Sequence, residues 1–502
     1  MVIMLSIFRF ISIEPVVFFY VLAIFAEYDV VGDLFYVSKC IDHLKLNATD
    51  QLHLCTEDLK HNKSSEISNA VSKEANNAQK IYNGILYATS IASSFIAATY
   101  ADRRSKFWPI IIPIIGSAIV QLFVLGSLFN NFSEEIPFLL RSKGVFIIFL
   151  CSCISGITGG TSTLLSSCFA HVAEKCNQSQ RTSRITIVEA CLFGGGFFGF
   201  TFAGAIFRRY PNSLERYDLN FGLFLKIHLL MIIYVIFKRR MFTKPNRAHS
   251  QVAITMLFTS VFRTINRQRA YRYQRRIIYL ILIAFIIISY WNVAITTMLF
   301  IYTRNMLKWP PWKYSYFSSA KFGLSGIFLC LLPVLQYLLG SGKMAIGNYF
   351  QQPLNDGTLI TIGLLSRTLA IIMIGLSTIA SSDLFMIFAL VSIIFAEYPI
   401  PAIRSMISKI VEPDEKAQMF AVLAAIQSIC FFTGGIGFLE IYNAVLEPIS
   451  NGPGWIFITI GFLQLLSMFI FWYVGYLIDQ TNTEQMSITS SVPNARESPQ
   501  NE

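Results

Sequence analysis

Twelve long apolar runs, spread over almost the whole of the 502-residue chain, constrain its fold more than any other feature. A bilayer core takes roughly 20 apolar residues per helical span. Lipid offers no hydrogen-bond partner to a backbone, so spanning segments are helices or closed barrels. These runs are nearly continuous rather than alternating, which selects helices. We place the spans at 13–37, 78–101, 108–129, 145–170, 185–207, 219–237, 277–302, 316–340, 357–379, 384–403, 417–441 and 455–478. With 54% hydrophobic residues, the expected class is an all-α integral membrane protein.

The charges divide the runs six and six. From Lys238 to Arg276 there are eleven Lys/Arg and no Asp/Glu, which matches the whole formal net charge of +11. Nucleic acid is excluded as a partner, because no nucleic-acid fold signature accompanies this segment. It reads as a cytoplasmic loop under the positive-inside rule. The expected domains are a six-helix bundle at 1–237, a basic linker at 238–276, a second six-helix bundle at 277–478 and a polar, disordered tail at 479–502. Within the linker, Val252–Phe262 has the composition of an interfacial helix on anionic lipid. The N-terminus leads into the first span and shows no cleavage site. Sequons at Asn47, Asn62 and Asn131 fall in loops on one face, opposite the linker, as glycosylation requires. Both termini are therefore expected in the cytoplasm.

The nine cysteines form no framework. Most lie in apolar runs as packing thiols. Only Cys40 and Cys55 share an outer loop, and spacing alone leaves a bridge between them open. No His/Cys cluster has metal-ligand spacing, so neither metal nor cofactor is expected.

Charged residues inside the runs are the candidate site. Glu189 sits about one turn inside the fifth run, in ITIVEACLF. A carboxylate at a helix centre costs roughly 2.5–3.5 kcal/mol on insertion scales, and such groups face a bundle interior or cavity. Glu189 is either a proton-titrating group or half of a structural ion pair with Arg184 or another basic side chain. Gly195 and Gly199 beyond it suit close helix approach. Arg404 and Lys409 follow Pro399 and Pro401, which kink or end the tenth span and leave both cations at its cytoplasmic mouth. Arg367 and Lys321 are intramembrane cations that either bind an anionic solute or snorkel. Glu14, Glu27 and Asp29 lie along the first span. His228, inside the sixth, is a packing residue rather than a relay.

The loop AATYADRRSKFW, Ala97–Trp108, resembles the G-x-L-a-D-r-x-G-r-k loop of the major facilitator transporters. Asp102, Arg103 and Lys106 take its charged positions, while Ala98, Ser105 and Phe107 depart from it. The alternative is a short charged turn. Three further stretches, IEPVVFFYVLAIF, FAHVAEKCNQSQRTSRITIVEA and PAIRSMISKIV, resemble the solute carrier group of the proton-coupled folate transporter and the thymic stromal co-transporter. The resemblance implies two rocking halves around a midplane site. It implies proton coupling at Glu189 and Glu174, and proton and substrate binding at Arg404. Glu174 and Arg181 bracket the loop between the fourth and fifth spans, with Arg184 at the entry to the fifth, and Arg181 and Arg184 are expected as conformational residues. Arg367 and Trp291 join the expected substrate contacts. The chain departs from the folate carrier at IISYWNVAI, which lacks a histidine, and at TRNMLKWPPWKYS, which lacks a cysteine. Folate therefore does not follow from the resemblance.

The expected function is a proton-coupled secondary transporter of an organic anion or related solute, in the plasma or lysosomal membrane. Its partners would be that small-molecule solute, protons and the lipid bilayer. The alternative is a non-transporting receptor or scaffold on the same fold. An enzyme is not expected, because no nucleophile stands with its base.

Overall fold

The computed structural model describes residues 13–45, 55, 65–103, 105–129, 138–140, 144–175, 181–211, 213–242, 266–267, 273–340, 356–380, 382–411, 416–446 and 452–491. Asn47, Asn62, Asn131 and the 252–262 segment lie outside these residues, as does 492–502.

Twelve helical rods are present among the described residues. They are α1 (Glu14–Leu44), α2 (Ser65–Arg103), α3 (Phe107–Phe129), α4 (Val145–Ile157 continuing as Gly160–Lys175), α5 (Arg181–Arg209) and α6 (Glu215–Phe237). The second half has α7 (Gln274–Asn305), α8 (Pro311–Gly340), α9 (Asp356–Ile379), α10 (Leu384–Ser392 continuing as Pro399–Ile410), α11 (Lys416–Leu446) and α12 (Gly452–Ser491). Ten are long and apolar enough to cross a membrane; α2 and α8 are the other two rods. Large apolar side chains such as Phe146, Leu230, Phe237 and Trp472 point outward, where lipid replaces water.

Local chemistry sets the helix ends and breaks. Pro15 opens α1, where its missing N–H would have had no partner. Lys45 closes α1 in a left-handed conformation. Gly159 and Gly160, both with positive φ, break α4. In α10 a 3-10 turn at Ile393–Phe395 interrupts the helix, which restarts on Pro399 at its first turn. Arg404 and Lys409 therefore sit inside a helix that runs to Ile410, past the expected span end at 403. The α2 helix begins at Ser65, well before the expected 78, and α12 continues to Ser491 through the stretch expected as tail.

The rods alternate in direction, giving two ends. One carries the Cys40–Cys55 disulfide, with Cα atoms 5.9 Å apart; the other, the linker end, carries residues 238–242 and the start of α7. Along the seam between halves, α5 packs on α8 and α2 on α11. Within the first half α5 also lies along α1. A Cβ on Gly195 or Gly199 would land on the backbone carbonyls of Phe18 and Leu22, so the α1–α5 approach requires glycine at both.

The two ends are closed by different chemistry. At the linker end one apolar core draws Phe169, Val188 and Phe193 from the first half and Ile403, Met406 and Phe420 from the second. At the disulfide end the halves keep separate cores. There the seam is joined by polar contacts: Ser72 to Asn305 at 2.8 Å, Asn76 to Asn443 at 2.9 Å, and Lys80 to Glu440.

Candidate transport site

Glu189 lies in the third turn of α5 and Arg404 in the second turn of the restarted α10. The α10 break aims Arg404 across the seam. Its Nη1 pairs with the Glu189 carboxylate, and both side chains are under a tenth exposed. The Arg404 guanidinium also stacks 4.2 Å over the Phe169 ring of α4 and donates to Gln427 Oε1 of α11 at 3.4 Å. One cation thus ties α4 and α5 of the first half to α10 and α11 of the second. Ser162 and Ser428 meet at 2.7 Å along the same α4–α11 seam.

Arg184 is not the partner of Glu189. It pairs with Glu14 of α1 at 2.9 Å. Lys106 and Glu174 pair at 2.7 Å, binding the α2–α3 loop to the end of α4. The start of the linker docks on that loop. The Phe242 carbonyl accepts from Lys106 N at 3.2 Å and Ser105 Oγ at 3.3 Å, and Lys175 Nζ donates to Met241 O at 3.4 Å. Asp102 and Arg103 lie in the last turn of α2 and Arg181 opens α5, but their side chains are outside the described set.

Arg367 of α9 donates through Nη2 to Glu397 of α10 at 2.7 Å, inside the second half. Its Nη1 is buried without a hydrogen-bond partner. Trp291 packs against Phe438 with ring centroids 5.9 Å apart, and its Nε1 is likewise buried and unbonded. The structure does not bring Arg367 or Trp291 into the Glu189–Arg404 contact. His228 donates through Nδ1–H to the Phe224 carbonyl, 2.8 Å away, as a packed histidine does.

A second charged cluster at the disulfide end did not emerge from the sequence. Asp33 of α1 binds Arg216 of α6 through one oxygen at 2.9 Å and Arg304 of α7 through the other at 3.0 Å. Tyr217 donates to the same carboxylate at 2.9 Å. Arg304 lies 3.5 Å over the Tyr36 ring. The signal was there: Asp33 is an acid within an apolar run, where such groups are costly.

Buried charges paired across a two-bundle seam at each end fit the class of secondary transporters. The chain belongs to the Major Facilitator Superfamily, whose family model matches residues 77–352. Among its relatives is the lysosomal proton-coupled steroid conjugate and bile acid symporter SLC46A3 of Gallus gallus. It is 24% identical over 451 residues, covering 86% of this chain and 87% of the relative. The Mus musculus solute carrier family 46 member 2 is 21% identical, covering 80% and 81%. The Bos taurus proton-coupled folate transporter is 23% identical over 60% of each chain. Among solved structures, the human organic anion transporter MFSD10 (TETRAN) superposes with a TM-score of 0.62 at 14% identity, covering 91% of this chain and 97% of that one.

Proposed function

We propose that the protein is a proton-coupled symporter of an organic anion, with Glu189 as its proton carrier and Arg404 as its anion contact. The observation that carries this reading is the buried Glu189–Arg404 pair across the seam. Among the described residues each is the other's only charged partner, Phe169 and Gln427 being neutral contacts of Arg404. A proton arriving on Glu189 removes that compensation and leaves a buried guanidinium. A solute carboxylate or sulfate then restores neutrality, because a guanidinium fork suits such groups. Proton and anion therefore enter together, which is the linkage a symporter needs. A ligand moves the balance between open states only by its differential affinity for them. Breaking the pair loosens the linker end, while an anion on Arg404 replaces the lost contact.

The unbonded Nη1 of Arg367 and Nε1 of Trp291 are further donors for a solute. Glu174 with Lys106, and Arg184 with Glu14, hold the linker-end helix termini in register. The eleven linker cations support a cytoplasmic position for that end and for both termini. The names of the solute carrier relatives support proton coupling, and they support either a lysosomal or a plasma membrane.

The test is uptake of a panel of labelled organic anions, steroid conjugates and folates among them, by the purified chain in proteoliposomes. Wild type is compared with Glu189→Gln at acidic and neutral outer pH. Acid-stimulated uptake that Glu189→Gln abolishes supports the reading. Equal, pH-independent uptake by both proteins overturns proton coupling at Glu189. No uptake of any anion would favour a receptor or scaffold.

A further inference from the structure

The acidic side chains of α1 do not share one fate. Glu14 is paired with Arg184, and Asp33 is held by Arg216 and Arg304. Glu27 accepts from the Gln121 amide at 2.8 Å. Asp29 is different. It is 2% exposed, and no Lys or Arg lies within ion-pair distance of it among the described residues. One carboxyl oxygen meets the hydroxyl of Ser315 on α8, across the seam. The other is buried with no hydrogen-bond partner.

Among the described residues, no cation lies where it would compensate a charge here. Asp33, one turn along α1, is a second negative group acting on Asp29. Arg216 of α6 and Arg304 of α7 are both occupied by Asp33. The titratable neighbours are phenols, Tyr28 on α1 and Tyr314 on α8. From α5, Gly204 packs against Ser315 and brings no polar side chain. Lys80 of α2 is paired with Glu440 of α11 instead.

Hydrogen-bond accounting leads to the same place. Ser315 has one hydroxyl proton but two acceptors in range, Asp29 and its own Pro311 carbonyl at 3.1 Å. A proton on Asp29 satisfies both contacts: the acid donates to Ser315, and Ser315 donates to Pro311. A buried carboxylate with no cation, one unbonded oxygen and a single donor shared with another acceptor is disfavoured against its neutral acid. When α1 and α8 separate, water reaches the carboxyl and the charged form becomes accessible.

We propose that Asp29 is a second proton-binding site, occupied while the halves are closed at the disulfide end and emptied to water when they part there. This rests on the reading of the protein as a proton-coupled carrier. Glu189 and Asp29 then divide the work. Glu189 carries the proton that competes with Arg404 at the linker end, and Asp29 must be neutral for the disulfide end to shut. The proton bound at Asp29 comes from, and returns to, water on the disulfide side.

Infrared difference spectroscopy of the full chain in lipid nanodiscs, between acidic and neutral pH and with no solute, tests this. A protonated carboxyl has its own C=O stretch. Asp29→Asn is expected to remove one such band that Glu189→Gln leaves in place. Ser315→Ala, which keeps the carboxyl but removes its hydrogen-bond partner, is expected to shift that band. If Asp29→Asn retains every protonated-carboxyl band of the wild type, the inference is overturned, whatever Glu189→Gln does. If Asp29→Asn does not fold, an unshifted spectrum in Ser315→Ala overturns it equally. Loss of the Asp29 band, together with pH-independent uptake that Glu189→Gln does not change, would keep this site and discard proton coupling at Glu189.

Discussion

Glu189 of the first half and Arg404 of the second form one buried ion pair across the seam, at the end where the two halves also share an apolar core. Removing one partner strands the other charge in that core. Glu189→Ala or Arg404→Ala alone is expected to destabilise the closed linker end by about 3–5 kcal/mol, the usual cost of breaking a buried pair. Removing both with Glu189→Ala and Arg404→Ala together should cost less than the sum of the two single losses. Thermal unfolding of the four proteins in detergent measures this. A double variant whose loss equals the sum of the single losses would mean that the two groups do not interact.

Asp33 closes the opposite end, where the halves keep separate apolar cores rather than sharing one. Asp33→Asn leaves Arg216 and Arg304 facing each other without their common counter-ion. If this takes about 2 kcal/mol from the closed seam, the open population rises roughly thirtyfold. Ala75 lines the recess between α1, α2 and α7 beside this cluster. An Ala75→Cys probe should react many times faster with a membrane-impermeant maleimide in the Asp33→Asn background. An unchanged labelling rate would show that Asp33 does not hold this end shut.

The helices were legible because burial in lipid writes itself as continuous apolar sequence. What escaped was the polar extension of rods beyond the bilayer, as at Ser65 in α2 and beyond Asp479 in α12. The identity of the charged site residues was also legible, since an acid in an apolar run stands out. Their pairing was not. Arg184 was the local partner offered for Glu189, yet five positions along a helix is not a facing interval, whereas three or four is. The actual partner comes from α10 and reaches Glu189 only because Pro399 restarts that helix inside the bundle. Asp33 was passed over for a related reason. Nothing in the first run says which of its acids faces α7.

Gly195 and Gly199 set the distance between α1 and α5, with Phe18 and Leu22 carbonyls where a Cβ would go. Backbone cannot give way as a side chain can. Gly199→Ala is expected to cost about 1–3 kcal/mol, and a larger residue more. Gly222 of α6 has open space where its Cβ would stand. Gly222→Ala should be neutral or slightly stabilising, because alanine is the better helix former. Melting temperature and the yield of monodisperse protein distinguish the two. Equal behaviour of both variants would refute the close approach.

Asp383, in the loop between α9 and α10, accepts from Trp309 Nε1 at 3.1 Å and Lys313 Nζ at 2.6 Å. It thereby tethers the α9–α10 loop to the start of α8. Partial burial pushes its carboxyl up, but the bonds from Lys313 and Trp309 and the Lys313 charge outweigh this and hold it below the ordinary carboxylate range. A depressed acid lends stability that is present above its unfolded value and is lost as pH falls through its folded one. The tether is therefore expected to persist through mildly acidic pH and to weaken only below the ordinary carboxylate range. Amide hydrogen exchange of residues 307–313, corrected for the intrinsic pH dependence, follows it directly. Asp383→Asn should lower protection at neutral pH and flatten the acid dependence. Protection in the wild type that is already lost at mildly acidic pH would show that the carboxyl is not held charged by Lys313.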